Sequence, residues 1–134
     1  MSPSRIGTRS RDNRIYRKNV AQSDPVPFPS IYKYNVHMKT LEFEWDRKKE
    51  TANVKKHGVS FKEAQTAFYD EGAIQFYDPD HSDEEDRFIL LGLSLKPRVL
   101  VVCHCFRESE TVVRIISARK ADKDEELEYW ERRK

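Results

Sequence analysis

The stretch TVVRIISARK, residues 111–120, governs how the rest of the chain must be read. Val112, Val113, Ile115 and Ile116 are β-branched, a shape that suits a pleated surface better than a helix. The run therefore predicts a strand. Alternation along it puts Arg114 on one face with Val112 and Ile116, and Val113, Ile115 and Ser117 on the other. An arginine inside an apolar strand is costly unless something pairs with it. An internal carboxylate is the ordinary partner, and an anion held on the sheet is the alternative. Arg119 and Lys120 end the strand as a cationic corner.

The flanking sequence supplies that strand with a sheet. Arg87 to Leu95 and Arg98 to Phe106 read as strands joined by a turn at Lys96-Pro97, and Arg107 to Glu110 turn into the quoted stretch, so the three predict an antiparallel meander. Ala73 to Tyr77 is a short strand, and LEFEW (Leu41 to Trp45) alternates apolar and acidic residues as a half-buried strand does. Asp46 is a good N-cap for a charged helix, Arg47 to His57, ended by Gly58. Ala52 and Val54 are that helix's only aliphatics, so it must dock by a narrow seam, while Asn53, Lys56 and His57 share one of its faces. Ser60 and Glu63 spell a capping box for a second helix with the stripe Phe61, Ala64, Phe68. A last helix, Asp122 to Arg133, offers Leu127, Tyr129 and Trp130 as apolar contacts. This order predicts an α+β fold: a twisted, mainly antiparallel sheet with two N-terminal helices and a C-terminal helix packed on one face.

With 134 residues the chain has room for one domain. Residues 1–37 read as a disordered basic extension broken by Pro25, Pro27 and Pro29, and residues 38–134 as the domain, with Met38 just before the first strand as a start-site extension would leave it. The extension holds seven basic and two acidic residues, a net +5, so the rest of the chain carries −3 of the overall +2. Contact with a nucleic acid must then come from a local cationic cluster. The first residues are polar and basic, no run of 18 apolar residues occurs, and Cys103 and Cys105 are a poor disulfide pair on one strand face. A cytoplasmic location and no membrane contact are expected.

Metal and cofactor chemistry finds little footing. The acidic loop DPDHSDEED (78–86) lacks the spacing of a calcium loop. In Cys103-His104-Cys105 the histidine points away from both thiols on a strand, and no fourth ligand is placed. Phosphate-loop and dinucleotide-binding glycine patterns are absent. What remains is a set of cations and histidines at element ends: Lys56, His57, Arg87, His104, Arg114 and Arg119. Each alone reads as structural or solvated. Together they match what metal-free RNA cleavage needs: a base for the 2′-hydroxyl, cations facing the phosphorane, and an acid for the leaving oxygen.

Four segments then carry a resemblance. FEWDRKKETANVKKHGVSFKEA (43–64), EEDRFILLG (84–92), VLVVCH (99–104) and VRIISARKA (113–121) together resemble the BrnT family of toxins from bacterial type II toxin–antitoxin pairs, over about residues 41–121 in the right order. The resemblance implies a RelE-like fold, and an endoribonuclease that inhibits translation and growth. It also implies neutralisation by a BrnA-like antitoxin, whose ribbon-helix-helix part would be the route to operator DNA. Carried onto this chain, it marks Asn53, Lys56, His57, Arg87, Arg114, Ser117 and Arg119. The roles expected are Arg87, Arg114 and Arg119 for phosphate and transition-state charge, Lys56 or His57 for proton transfer, and Asn53, His104 and Ser117 for substrate contact. The chain departs from the pattern in the extension before Met38, and in Cys105, where many members have threonine. A reading of a different class stays open: a non-catalytic module whose cationic face docks an antitoxin and helps repress its operon.

Overall fold

A computed structural model describes residues 41–107 and 111–133; the extension expected over residues 1–37 lies outside them. Five strands and three helices follow in the order β1 (Glu42–Glu44), α1 (Arg47–His57), α2 (Phe61–Ala67), β2 (Ile74–Tyr77), β3 (Phe88–Leu93), β4 (Val99–Arg107), β5 (Val112–Lys120) and α3 (Lys123–Arg133), with a short 3-10 turn, Pro79–His81, between β2 and β3. The sheet order is β1-β5-β4-β3-β2. Every pair is antiparallel except β1 with β5, which is parallel. The fold is α+β, with the meander β3-β4-β5 where the turns predicted it. No helix among the described residues is long and apolar enough to cross a membrane.

The sheet is covered on both faces, which corrects the expectation of helices on one. On the first face Phe61, Ala64, Ala67 and Phe68 of the α2 region pack on Leu90, Leu100, Val102, Val113, Ile115 and Ala118. On the second, Tyr129 of α3 packs on Ile74, Phe76, Leu91 and Val99. The reason lies in the runs Ile89-Leu90-Leu91 and Val99 to Val102, which do not alternate. Strands apolar on both faces must be buried on both. Tyr129 is the fully buried apolar residue of α3, while Leu127 and Trp130 are exposed.

β5 contains one extra residue. Cys103 pairs with Ser117 and His104 with Ile115, which leaves Ile116 as a bulge. Ser117 therefore shares a face with Cys103 and not with Ile115, against strict alternation. The same shift sends Arg119, paired with Val101, to the second face, the face of Arg114.

α1 begins and ends where its caps require. The Asp46 side chain accepts from the amides of Lys48 (2.8 Å) and Lys49, and Gly58 adopts φ 70°, a left-handed geometry that glycine reaches without strain. Its docking is polar. Ala52 and Val54 are exposed, and Asn53 is the buried residue of the helix. The Asn53 amide donates to the carbonyls of Val59 and Ala118 (2.8 Å each) and accepts from the Ala118 amide (3.1 Å). It stands in for a strand residue along β5, beyond the end of three-residue β1. Only half of the capping box forms at α2. Ser60 Oγ accepts from the Glu63 amide at 3.0 Å, but the Glu63 carboxylate turns to the Ser94 hydroxyl (2.7 Å) and the Arg98 guanidinium (2.6 and 2.7 Å). That bidentate guanidinium, ahead of the Ser94 contact, holds the Glu63 carboxyl below its ordinary range.

Candidate active site

Three arginines gather at one end of the second face. Phe88 pairs with His104, so Arg87, one residue earlier, stands beside Cys105. Cys105 pairs with Arg114, and Arg114 with Glu44. Arg87, Cys105, Arg114 and Glu44 thus form a row across β3, β4, β5 and β1. Strand spacing puts Arg87 and Arg114 about 10 Å apart. Arg107, two residues beyond Cys105, extends the cluster along β4. Arg114 Nη1 donates to Glu44 at 2.9 Å, so its partner is an internal carboxylate. Arg107 lies 3.5 Å from Glu44 and 3.7 Å from Glu85, and Arg87 is 3.7 Å from Glu85. Those three separations exceed hydrogen-bond range, and the arginine side chains are 32–46% exposed. Such pairs are worth about 0–1 kcal/mol and can be exchanged cheaply for another anion. Burial, then the Glu85 carboxylate, pushes the Cys105 thiol up, leaving it a neutral packing group in the row.

Arg119 is differently placed. It lies roughly 13 Å further along the same face by strand rise. Its two terminal nitrogens donate to the two oxygens of Glu125 at 2.8 Å each, with side chains 19% and 1% exposed. Glu125 also accepts from the Asp122 amide, and Asp122 accepts from the Glu125 amide, both at 2.8 Å. The guanidinium therefore ties β5 to a reciprocal cap at the start of α3.

The structure does not bring the remaining expected residues to the arginine row. α1 runs beside β5 from near the Glu44–Arg114 pair to Ala118, so Lys56 and His57 lie towards the far end of that strand, Lys56 exposed and His57 half-buried. Asn53 is buried, with its amide committed to backbone. Ser117 is half-buried on the second face. His104 is fully buried under the first face. Its Nδ1 lies 3.1 Å from the Val102 carbonyl and its Nε2 2.8 Å from Gln75 Oε1. Burial pushes its pKa down to about 4, so the ring is neutral.

Two features escaped the sequence reading. The expected turn over Arg107 to Glu110 hides Arg107, which ends β4 and, two residues from Cys105, shares the Arg114 face. The acidity of the loop after β2 hides its histidine. There Arg87 lines a depression of about 260 Å³ together with Asp80, His81, Asp83, Glu84 and Glu85. His81 stands three residues after Asp78, a spacing at which side chains meet across one helical turn.

Residues 45–125 match the family described as "Ribonuclease toxin, BrnT, of type II toxin-antitoxin system". No curated protein matches the chain. Among solved structures it is similar to the Brucella abortus ribonuclease toxin BrnT, determined at 1.1 Å, with 24% identity, 63% of this chain and 100% of that one covered, and a TM-score of 0.49.

Proposed function

The chain belongs to the BrnT family of ribonuclease toxins of type II toxin–antitoxin systems, and on that premise we propose that it cuts RNA internally, without a metal ion, at the arginine row of the second sheet face. The observation that carries this site is the contrast among the arginines. Arg87 and Arg107 hold carboxylates only loosely and Arg114 holds its own half-exposed, so all three can turn to a phosphate. Arg119 is locked to buried Glu125 and serves to position α3. In the reaction the 2′-oxygen forms a bond to the adjacent phosphorus while a base takes its proton. The P–O5′ bond then breaks, and the 5′-oxygen leaves with a proton. Guanidinium groups stabilise the extra charge on the phosphorane and supply bidentate, directional donors.

Destruction of RNA in the cytoplasm would arrest translation and growth. A BrnA-like antitoxin with a ribbon-helix-helix part would neutralise the enzyme by covering the row, and would carry the complex to operator DNA. Charge complementarity favours an acidic covering segment. The 2.9 Å pair of Arg114 with Glu44 also suits the second reading, a module that only docks carboxylates of a partner.

RNA cleavage by purified protein in EDTA separates the two. Arg87→Ala, Arg107→Ala and Arg114→Ala should each lose at least about tenfold at unchanged melting temperature, a cautious bound against the ~10²–10³ usual for one transition-state donor. Wild-type rates in all three would remove the row from the chemistry. Loss of parental activity in EDTA would end the metal-free mechanism. A parent that binds its antitoxin and cuts nothing would leave the docking module.

A further inference from the structure

We infer that His81, oriented by buried Asp78, is the base that takes the 2′-hydroxyl proton beside the phosphate held by Arg87. The inference rests on the ribonuclease reading and names a group that reading lacks, since Lys56 and His57 lie towards the other end of β5.

The loop after β2 is built to hold this ring. Asp78 is 1% exposed. Its amide donates to the Arg87 carbonyl at 2.9 Å, and its carbonyl accepts from the Ser82 hydroxyl at 2.6 Å. Ser82 Oγ in turn accepts from the Arg87 amide at 2.9 Å. These contacts close the loop on itself, so that His81 and Arg87 are both fixed relative to Asp78. Asp78 Oδ2 lies 2.8 Å from His81 Nδ1. An imidazole held by a carboxylate at Nδ1 exchanges protons at Nε2, and the carboxylate stabilises the cation that results.

The other oxygen, Asp78 Oδ1, is buried with no hydrogen-bond partner among the described residues. A carboxylate that deep and half-satisfied is a poor packing element, since an unmet buried acceptor gives up its hydration with no bond in return. It is intelligible as the charge partner of a ring that becomes cationic during turnover. His81 is 41% exposed and lines the same 260 Å³ depression as Arg87. The two groups that the reaction needs side by side, a proton acceptor and a phosphate donor fork, therefore share one concavity.

Asp80, Asp83, Glu84 and Glu85 line the same depression and oppose a polyanion. Entry therefore depends on Arg87 and Arg107, each 3.7 Å from Glu85 and able to draw it aside. Once the phosphate is seated, the 2′-O–H proton moves to the ring as the P–O2′ bond forms. The P–O5′ bond then breaks with its electron pair on O5′, which is protonated by solvent.

The test uses the full chain and a short single-stranded RNA. His81→Ala should cut at least about 100-fold more slowly, at unchanged melting temperature and RNA affinity, and added imidazole should restore part of the rate. Asp78→Asn should lower kcat with KM unchanged, and should have no further effect in the His81→Ala background, because Asp78 acts through the ring. Should either variant fold poorly, His81→Gln keeps a side-chain donor beside Asp78 and should be equally slow. Cleavage by a folded His81→Ala or His81→Gln protein within threefold of the parent overturns the assignment alone. A parent that cuts no RNA overturns the ribonuclease reading and this base with it.

Discussion

The ring of His104 lies among those of Phe68, Phe88 and Phe106, at centroid distances of 4.8, 6.1 and 5.3 Å. A histidine in a strand beside two cysteines invites a chemical reading, yet here it fills core and is paid for by two hydrogen bonds. That burial has a pH signature. The folded-state pKa is pushed down from 6.5 to about 4, so between those values the unfolded chain binds the extra proton. Stability is then fully present above about pH 6.5 and declines as pH falls towards 4, by about 3 kcal/mol in all. The carboxyls of Asp46 and Glu63 are held low, by backbone amides and by Arg98 respectively, and lose their contributions only at more acid pH. Urea unfolding between pH 7 and 4.5 should show the decline in the parent and little of it in His104→Leu. Parallel curves for the two proteins would mean the ring is not titrating.

Among elements, α3 is fastened in part by an ion pair that a single substitution breaks. Tyr129 is its buried apolar anchor, its hydroxyl donates to Asp70, Arg132 lies over the Phe76 ring, and Arg119 pairs with buried Glu125. Arg119→Ala strands the Glu125 charge and should destabilise by about 3–5 kcal/mol, whereas Arg119→Met with Glu125→Gln should recover most of that. The double variant should also cut RNA at close to the parental rate per folded molecule. A folded but inactive double variant would return Arg119 to the chemistry. Strand and helix limits were legible because local rules set them: Asp46 and Gly58 bracket α1 to the residue, and turn residues separate β3, β4 and β5. The bulge was not, because Ile115 and Ile116 are equally apolar and either phase of alternation satisfies them. α1 hid its docking for a related reason. A helix that pairs with a strand's backbone through Asn53 leaves no apolar period to read. The side taken by α3 depended on which face of the meander the earlier helices had already covered, and that is settled only in three dimensions. At the candidate site, Arg87 and Arg114 were legible as cations. Their separation from Lys56 and His57 was not, because it follows from the parallel pairing of β1 with β5.

Across the whole molecule, the candidate site draws on residues from β1 to β5, held in place by a sheet buried on both faces, so a partner that covers the row must bridge the loop after β2 and the β1 edge. Glu44 and Glu85 alternate with Arg114, Arg107 and Arg87 in a chain of contacts. The row thus carries its own counterions. A polyanion that displaces them frees carboxylates, which gather cations from solution and cancel part of the release that normally drives such binding. Three phosphate contacts to a single strand would otherwise give a slope of log K against log salt near about −2. Binding of a non-cleavable 2′-O-methyl RNA should be flatter than that, and Glu44→Gln with Glu85→Gln should both tighten it and steepen it towards that value. A slope unmoved by the double change would mean that the glutamates stay in place when RNA arrives. Flatness of this kind would let the enzyme bind RNA with nearly constant affinity as the ionic strength around it changes.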